Sequence, residues 1–118
     1  LSRDVICQVD DLAPGEPLKI EIGGRELAVF RVADEVYVID DQCTHGPGSL
    51  SEGELDGYVI ECDFHQGGFD IRTGEAVIPP CMVPVRTYAV ELVDGAVIVD
   101  FDQAAVACAN KVRAEAGA

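Results

Sequence analysis

Apolar and polar residues alternate over Leu18-Lys19-Ile20-Glu21-Ile22, the period of a strand with one buried face. Gly23-Gly24 follows and Glu26 to Val32 returns the chain, which predicts a hairpin with a primed turn. Ala33-Asp34-Glu35 reverses the chain again into Val36-Tyr37-Val38-Ile39. Tyr58-Val59-Ile60 and Gly68-Phe69-Asp70-Ile71 are further short strands by their β-branched and aromatic content. Val83 to Leu92 and Ala96 to Val99 flank Asp94-Gly95, a second hairpin signal. Short strands joined by turns predict an all-β fold, an antiparallel sandwich or barrel.

Two stretches break that pattern. Residues 43–57 carry four glycines and one proline and are expected to form an irregular loop. Residues 79–84 contain three prolines and cannot be a central strand. Beyond Asp100 the segment FDQAAVACANKVRAEA has the propensity of a short C-terminal helix, over about 101–116. Asp100 with Gln103 resembles a capping box, and Lys111 and Arg113 stand where the helix dipole favours cations. So short a helix needs packing on the sheet to be stable.

At 118 residues and 48% apolar, the chain fits one domain with a core that needs no disulfides. The longest apolar run, Ala104 to Ala109, has six residues and cannot cross a bilayer. LSRDVICQVDD has neither the basic nor the apolar region of a signal peptide, so a cytoplasmic protein is expected. The 22 acidic and 8 basic residues give a net charge of −14, which argues against nucleic acid or an anionic membrane as partner. Between Arg31 and Arg72 lie ten acids and no Lys or Arg, a field suited to a basic protein partner. Both histidines fall within that stretch. Five cysteines without a secretory signal favour metal binding over a disulfide scaffold, since an odd number cannot pair completely.

Cys43-Thr44-His45 is C-x-H and Cys62-Asp63-Phe64-His65 is C-x-x-H, with sixteen residues between His45 and Cys62. Six of the twelve glycines lie between positions 46 and 68, where backbone N–H groups can converge on negative sulfur. Two Cys and two His suit either a structural zinc or a [2Fe-2S] centre with thiolates on one iron and imidazoles on the other. Zinc fingers usually group like ligands together. Here each loop supplies one of each, which suits two hairpin loops clasping a pair of irons.

C-T-H-x16-C-x-x-H with a following Gly-Gly resembles the Rieske family. FHQGGFDIRTGEAVIPPCMVPVRTYAVELVDGAVIV is similar to the Rieske-type ferredoxins of bacterial aromatic-ring-hydroxylating dioxygenase systems, and the resemblance covers roughly residues 3–100. It implies a single Rieske domain over 1–118, an antiparallel β-sandwich with a small cluster-binding subdomain at about 41–83. It further implies that Cys43 and Cys62 hold the buried iron, and that His45 and His65 hold the outer iron through Nδ1. Rieske proteins of respiratory complexes have a disulfide between the two loops. The matching positions here are Gly48 and Phe64, so that disulfide is not expected. Cys7, Cys81 and Cys108 are expected to be bystanders.

The implied activity is one-electron transfer from a flavin-containing reductase to a terminal oxygenase, both docking at the cluster end of a monomer. Such a carrier is not itself an enzyme, and no nucleotide-binding glycine motif is present. Two other readings remain at this point: a Rieske subunit held within a larger oxidoreductase, and a zinc-stabilised interaction module. A terminal oxygenase is disfavoured because its mononuclear iron would need histidines beyond His45 and His65. In high-potential relatives a serine and a tyrosine after the second His donate hydrogen bonds to the cluster. Gly67 and Phe69 stand there instead.

Overall fold

Leu27–Phe30 and Val36–Ile39 are unbroken apolar runs, and both are buried along their whole length. An antiparallel strand with one wet face alternates, so unbroken runs mean that both faces are covered. The computed structural model describes residues 3–44, 48–62, 67–79 and 82–102. Its strands are β1 (Arg3–Gln8), β2 (Leu18–Ile22), β3 (Arg25–Val32), β4 (Glu35–Asp40), β5 (Glu54–Asp56), β6 (Val59–Glu61), β7 (Gly68–Asp70), β8 (Ala76–Ile78), β9 (Thr87–Val93) and β10 (Ala96–Asp100). Six form a large antiparallel sheet in the order β1-β10-β9-β4-β3-β2, and four form a small one in the order β5-β6-β7-β8.

The large sheet bends over itself. β2, β3 and β4 face β1, β10 and β9 across a core that includes Leu27, Val29, Val36, Val38, Tyr88, Val90, Val97 and Val99. The other face of β3 and β4 supplies Ala28, Phe30, Tyr37 and Ile39 to a second core, shared with Leu50, Ile60, Phe69, Ile71 and Val85. Each large side chain so buried contributes on the order of 1.5–3 kcal/mol. β3 and β4 are therefore a partition between two cores. The two halves of the large sheet are joined as one sheet where Val38 pairs with Tyr88 and Ile39 with Thr87. The chain leaves that sheet after Asp40 and rejoins it beside Arg86, whose carbonyl accepts the Asp40 N–H at 2.9 Å.

The hairpin expected at Gly23-Gly24 has both residues at positive φ, 58° and 80°, as a primed turn requires. The remaining expectations differ in two places. Residues 43–57 are not wholly irregular, because a 3-10 turn at Leu50–Glu52 and strand β5 lie within them. The strand expected from Val83 begins only at Thr87. Pro84 lacks an N–H, and the N–H of Val85 goes to the Gly74 carbonyl instead of a neighbouring strand. The C-terminal helix lies outside the described residues.

One polar clasp joins the sheets. The hydroxyls of Tyr37 on β4 and Tyr58 beside β6 both donate to Glu35 Oε1, at 2.6 and 2.8 Å. Arg72 stacks on the Tyr58 ring at 4.1 Å and pairs with Asp70. The Arg72 hydrogen bond holds the Asp70 carboxyl below the usual carboxylate range. Burial, then the Glu35 bond, pushes the Tyr37 hydroxyl well above the usual phenol value.

Half-buried Cys7 packs against the core between the two halves of the large sheet. Burial and the charge of Asp11 push its thiol from 9.0 up to about 11. A raised folded value means that the native state keeps a proton the unfolded chain has lost. Stability is therefore complete below pH 9 and falls as pH rises towards 11, and Tyr37 and Tyr88 add to the fall with the same sign. Urea midpoints should drop between pH 8 and pH 11, less so in Cys7→Ser. Equal midpoints would count against this environment for the thiol.

Candidate metal centre

Cys43 follows the end of β4 and Cys62 immediately follows β6. Both are thiols, both are 2% exposed, and both join the core that holds Leu50, Ile60 and Phe69. Their loops are closed in the same way. The Cys43 N–H donates to the Gly48 carbonyl at 2.9 Å, and the Cys62 N–H donates to the Gly67 carbonyl at 2.6 Å. One step outward, Gln42 bridges to Ser49 and Glu61 pairs with Gly68. Each cysteine thus opens a loop of equal length at the tip of an antiparallel pair. The identical Cys-x4-Gly spacing was the sequence signal for this, beside the more evident C-x-H and C-x-x-H.

The structure brings Cys43 and Cys62 into one core. His45 and His65 lie outside the described residues, as do Cys81 and Cys108. Cys7 belongs to the other core, in keeping with a bystander. Thr44, next to Cys43, donates its hydroxyl to the Val83 carbonyl at 2.6 Å, which ties the first loop to the proline-rich segment. Gly74 anchors that segment from the other side: it sits at φ +82°, and a Cβ there would lie 2.2 Å from the Val85 carbonyl oxygen. Around this end Val77, Met82 and Val83 are exposed, and Glu52, Glu54 and Asp56 face solvent.

A polar cleft of about 500 Å³ beside Gln42 is lined by Arg25, Glu26, Asp40, Arg86 and Tyr88. The Tyr88 hydroxyl accepts from Arg25 at 3.2 Å and donates to Asp40, so charges of both signs balance across it.

The residues present fit an iron–sulfur cluster. Two buried cysteines on matched loops can supply thiolates from within the core, and each loop continues to a histidine within three residues. A metal bound there would compensate the thiolate charge that an apolar core otherwise excludes. Matched loops, one following β4 of the large sheet and one joining β6 to β7 of the small sheet, define a cluster-binding electron-transfer domain.

The comparisons with known proteins agree. The model of the Rieske [2Fe-2S] domain matches residues 2–89. The ferredoxin CarAc of Metapseudomonas resinovorans is 46% identical over 95 residues, covering 80% of this chain and 89% of that protein. The biphenyl dioxygenase ferredoxin subunit of Pseudomonas sp. (strain KKS102) is 44% identical, covering 85% and 93%. Among solved structures, the Sphingomonas yanoikuyae B1 ferredoxin superposes with a TM-score of 0.80 at 44% identity, covering 83% and 97%. A complex of reduced oxygenase and oxidised ferredoxin in carbazole 1,9a-dioxygenase matches with a TM-score of 0.80 at 44% identity, covering 85% of this chain and 94% of that one. The chain belongs to the Rieske [2Fe-2S] family, whose cofactor is one Rieske-type cluster. Among the described residues no helix is long and apolar enough to cross a membrane.

Proposed function

We propose that this chain is a one-electron carrier, the ferredoxin component of an aromatic-ring-hydroxylating dioxygenase system. Cys43 and Cys62 hold the inner iron of its cluster and His45 and His65 the outer one, within a single domain over 1–118. The cluster-binding subdomain spans about 41–83. The carrying observation is the pair of equal loops, each opened by a buried cysteine and closed by the same hydrogen bond. When bound, the cluster supplies a reversible Fe(III)/Fe(II) couple. The chain's own residues bury Cys43 and Cys62 among Leu50, Ile60 and Phe69, and His45 and His65 would carry the electron to and from the partners. Electrons enter from a flavin-containing reductase and leave to a terminal oxygenase, both docking at the cluster end. Its likeness to ferredoxin components of bacterial dioxygenase systems supports work in the cytoplasm. The deciding experiment is aerobic purification, a visible spectrum and anaerobic reduction. Red-brown bands that bleach with one electron per chain are expected, and a colourless zinc protein would overturn the reading.

Docking should be sensitive to salt. With a net charge of −14 and exposed Glu52, Glu54 and Asp56 near the loops, basic partner surfaces are steered in over about 10 Å at 0.1 M salt and about 3 Å at 1 M. Electron transfer at limiting ferredoxin should slow as salt rises. An unchanged rate would shift docking to the apolar residues Val77, Met82 and Val83.

The reduction potential should be low. Hydrogen bonds to a cluster's sulfurs favour its reduced, more negative form. Gly67 has no side chain, and Phe69, 0% exposed in the core, has a ring without a hydroxyl. Negative protein charge acts in the same direction. A value around −150 mV rather than near +300 mV is expected. Gly67→Ser should raise it by roughly 40 mV, the equivalent of one hydrogen bond of about 1 kcal/mol. A wild-type potential above zero would refute this account.

A further inference from the structure

Asp41 is one of ten acids between Arg31 and Arg72, and its side chain is only 1% exposed. A buried carboxylate is costly unless hydrogen bonds and a counter-charge satisfy it. Asp41 has both. Its Oδ2 accepts the Ser49 hydroxyl, and its Oδ1 accepts the Ser51 N–H at 2.8 Å. Its carbonyl accepts the Leu50 N–H at 2.6 Å, and its own N–H donates to the Glu26 carbonyl at 3.0 Å. Lys19 on β2 places Nζ 3.9 Å from Oδ2. The Ser49 and Ser51 hydroxyls are 3.1 Å apart, so the serines are held as a pair.

The bonds to Glu26 and Lys19 hold Asp41 against β3 and β2, while those to Ser49, Leu50 and Ser51 join the end of β4 to residues 49–51. Between those two points lie the Gln42–Ser49 bridge, the Cys43–Gly48 bond and the loop that carries Cys43 and His45. We infer that Asp41 is the positioning residue of the first ligand loop: its buried carboxylate locks the loop's stem, and so sets how firmly the cluster is held. This rests on the ligand assignment proposed above. Removing the carboxylate frees the Ser51 N–H and the Ser49 hydroxyl, and the loop can then open without the rest of the fold opening.

The test is the rate at which holoprotein loses its visible absorbance to excess EDTA, well below the melting temperature of each variant. Asp41→Ala should lose the cluster at least about tenfold faster than wild type, the usual scale for removing a group that orients a metal ligand. Asp41→Asn should stay within about threefold, because its oxygen still accepts the Ser51 N–H and its amide still meets Ser49. Val99→Ala, in the other core, serves as a control of lowered overall stability and should lose its cluster at the wild-type rate. Asp41→Ala behaving as wild type, or Val99→Ala as fast as Asp41→Ala, would overturn the inference. Should Asp41→Ala fail to fold, Ser49→Ala decides: faster release supports the lock, and wild-type release overturns it. Hydrogen exchange at Leu50 and Ser51 N–H in cluster-free protein gives a separate reading. Protection in wild type that is lost in Ser49→Ala supports the lock, and protection kept in both refutes it. A wild-type protein that never shows Rieske bands would remove the function proposed above, while the exchange result still decides whether the lock exists.

Discussion

Alanine in place of His45 or His65 is expected to leave a colourless protein, with iron and sulfide contents near zero. Each change removes half of the outer iron's protein ligands, and alanine offers nothing in exchange. The fold should survive. The core of Val97, Val99, Leu27 and Val29 lies on the far side of β3 and β4 from both loops, and neither cysteine belongs to it. Circular dichroism should therefore report a β protein that melts cooperatively, while the visible bands are gone. Cys7→Ser is the matching control: Cys7 packs in that far core, so its replacement should leave full occupancy. Full occupancy in either histidine variant would sink the ligand assignment.

Gly53→Ala should be the most damaging small substitution near the site. Its backbone φ of −86° suits any residue, so the constraint is space. A Cβ would lie 1.8 Å from the Glu61 carbonyl oxygen and 3.0 Å from its carbon. That carbonyl belongs to the strand leading into Cys62, and Glu61 pairs with Glu54 directly after the glycine. Relief requires prying β5 from β6. A loss of about 3 kcal/mol or more is expected, with a melting temperature lower by about 10 °C or more. Gly57→Ala provides the contrast. It has φ +62° but meets nothing within 4 Å, so it should cost only about 1 kcal/mol. Gly53→Ala melting like wild type would show that the two strands are not so closely apposed.

Much of the fold was legible where a local rule and the tertiary environment agree. Leu18–Ile22 alternates because it is the edge of the sheet, with one face wet, and Gly23-Gly24 adopts the φ values its hairpin needs. The unbroken runs Leu27–Phe30 and Val36–Ile39 also held the sign of two cores, since only two-sided burial explains them. β5 was not legible. Glu54-Leu55-Asp56 has two acids in three residues, and pairing with β6 makes it a strand, not propensity. Thr87 rather than Val83 opens β9 because a long-range bond claims the Val85 N–H, which no local pattern reveals.

The ligand spacing was the clearest signal in the chain, because metal chemistry restricts residue type more tightly than packing does. The equal closure of the two loops was present only as Cys-x4-Gly, an inconspicuous pattern without its hydrogen bonds. Asp41 was hidden altogether. In the sequence it is one acid among ten, and only its burial distinguishes it from the solvated ones.

The departure and return of the chain at Asp40 and Arg86, one hydrogen bond apart, has an evolutionary and practical consequence. Everything that would hold the irons is a single contiguous insert whose two ends are no wider than a hairpin. Such a cassette can be lengthened, shortened or exchanged between proteins without cutting the host sheet elsewhere. It does not travel alone, however. The outward face of β3 and β4, with Ala28, Phe30, Tyr37 and Ile39, forms the floor of its core and belongs to the host. A graft onto another bent sheet must carry those four side chains with it, or the insert arrives with its apolar underside exposed to water.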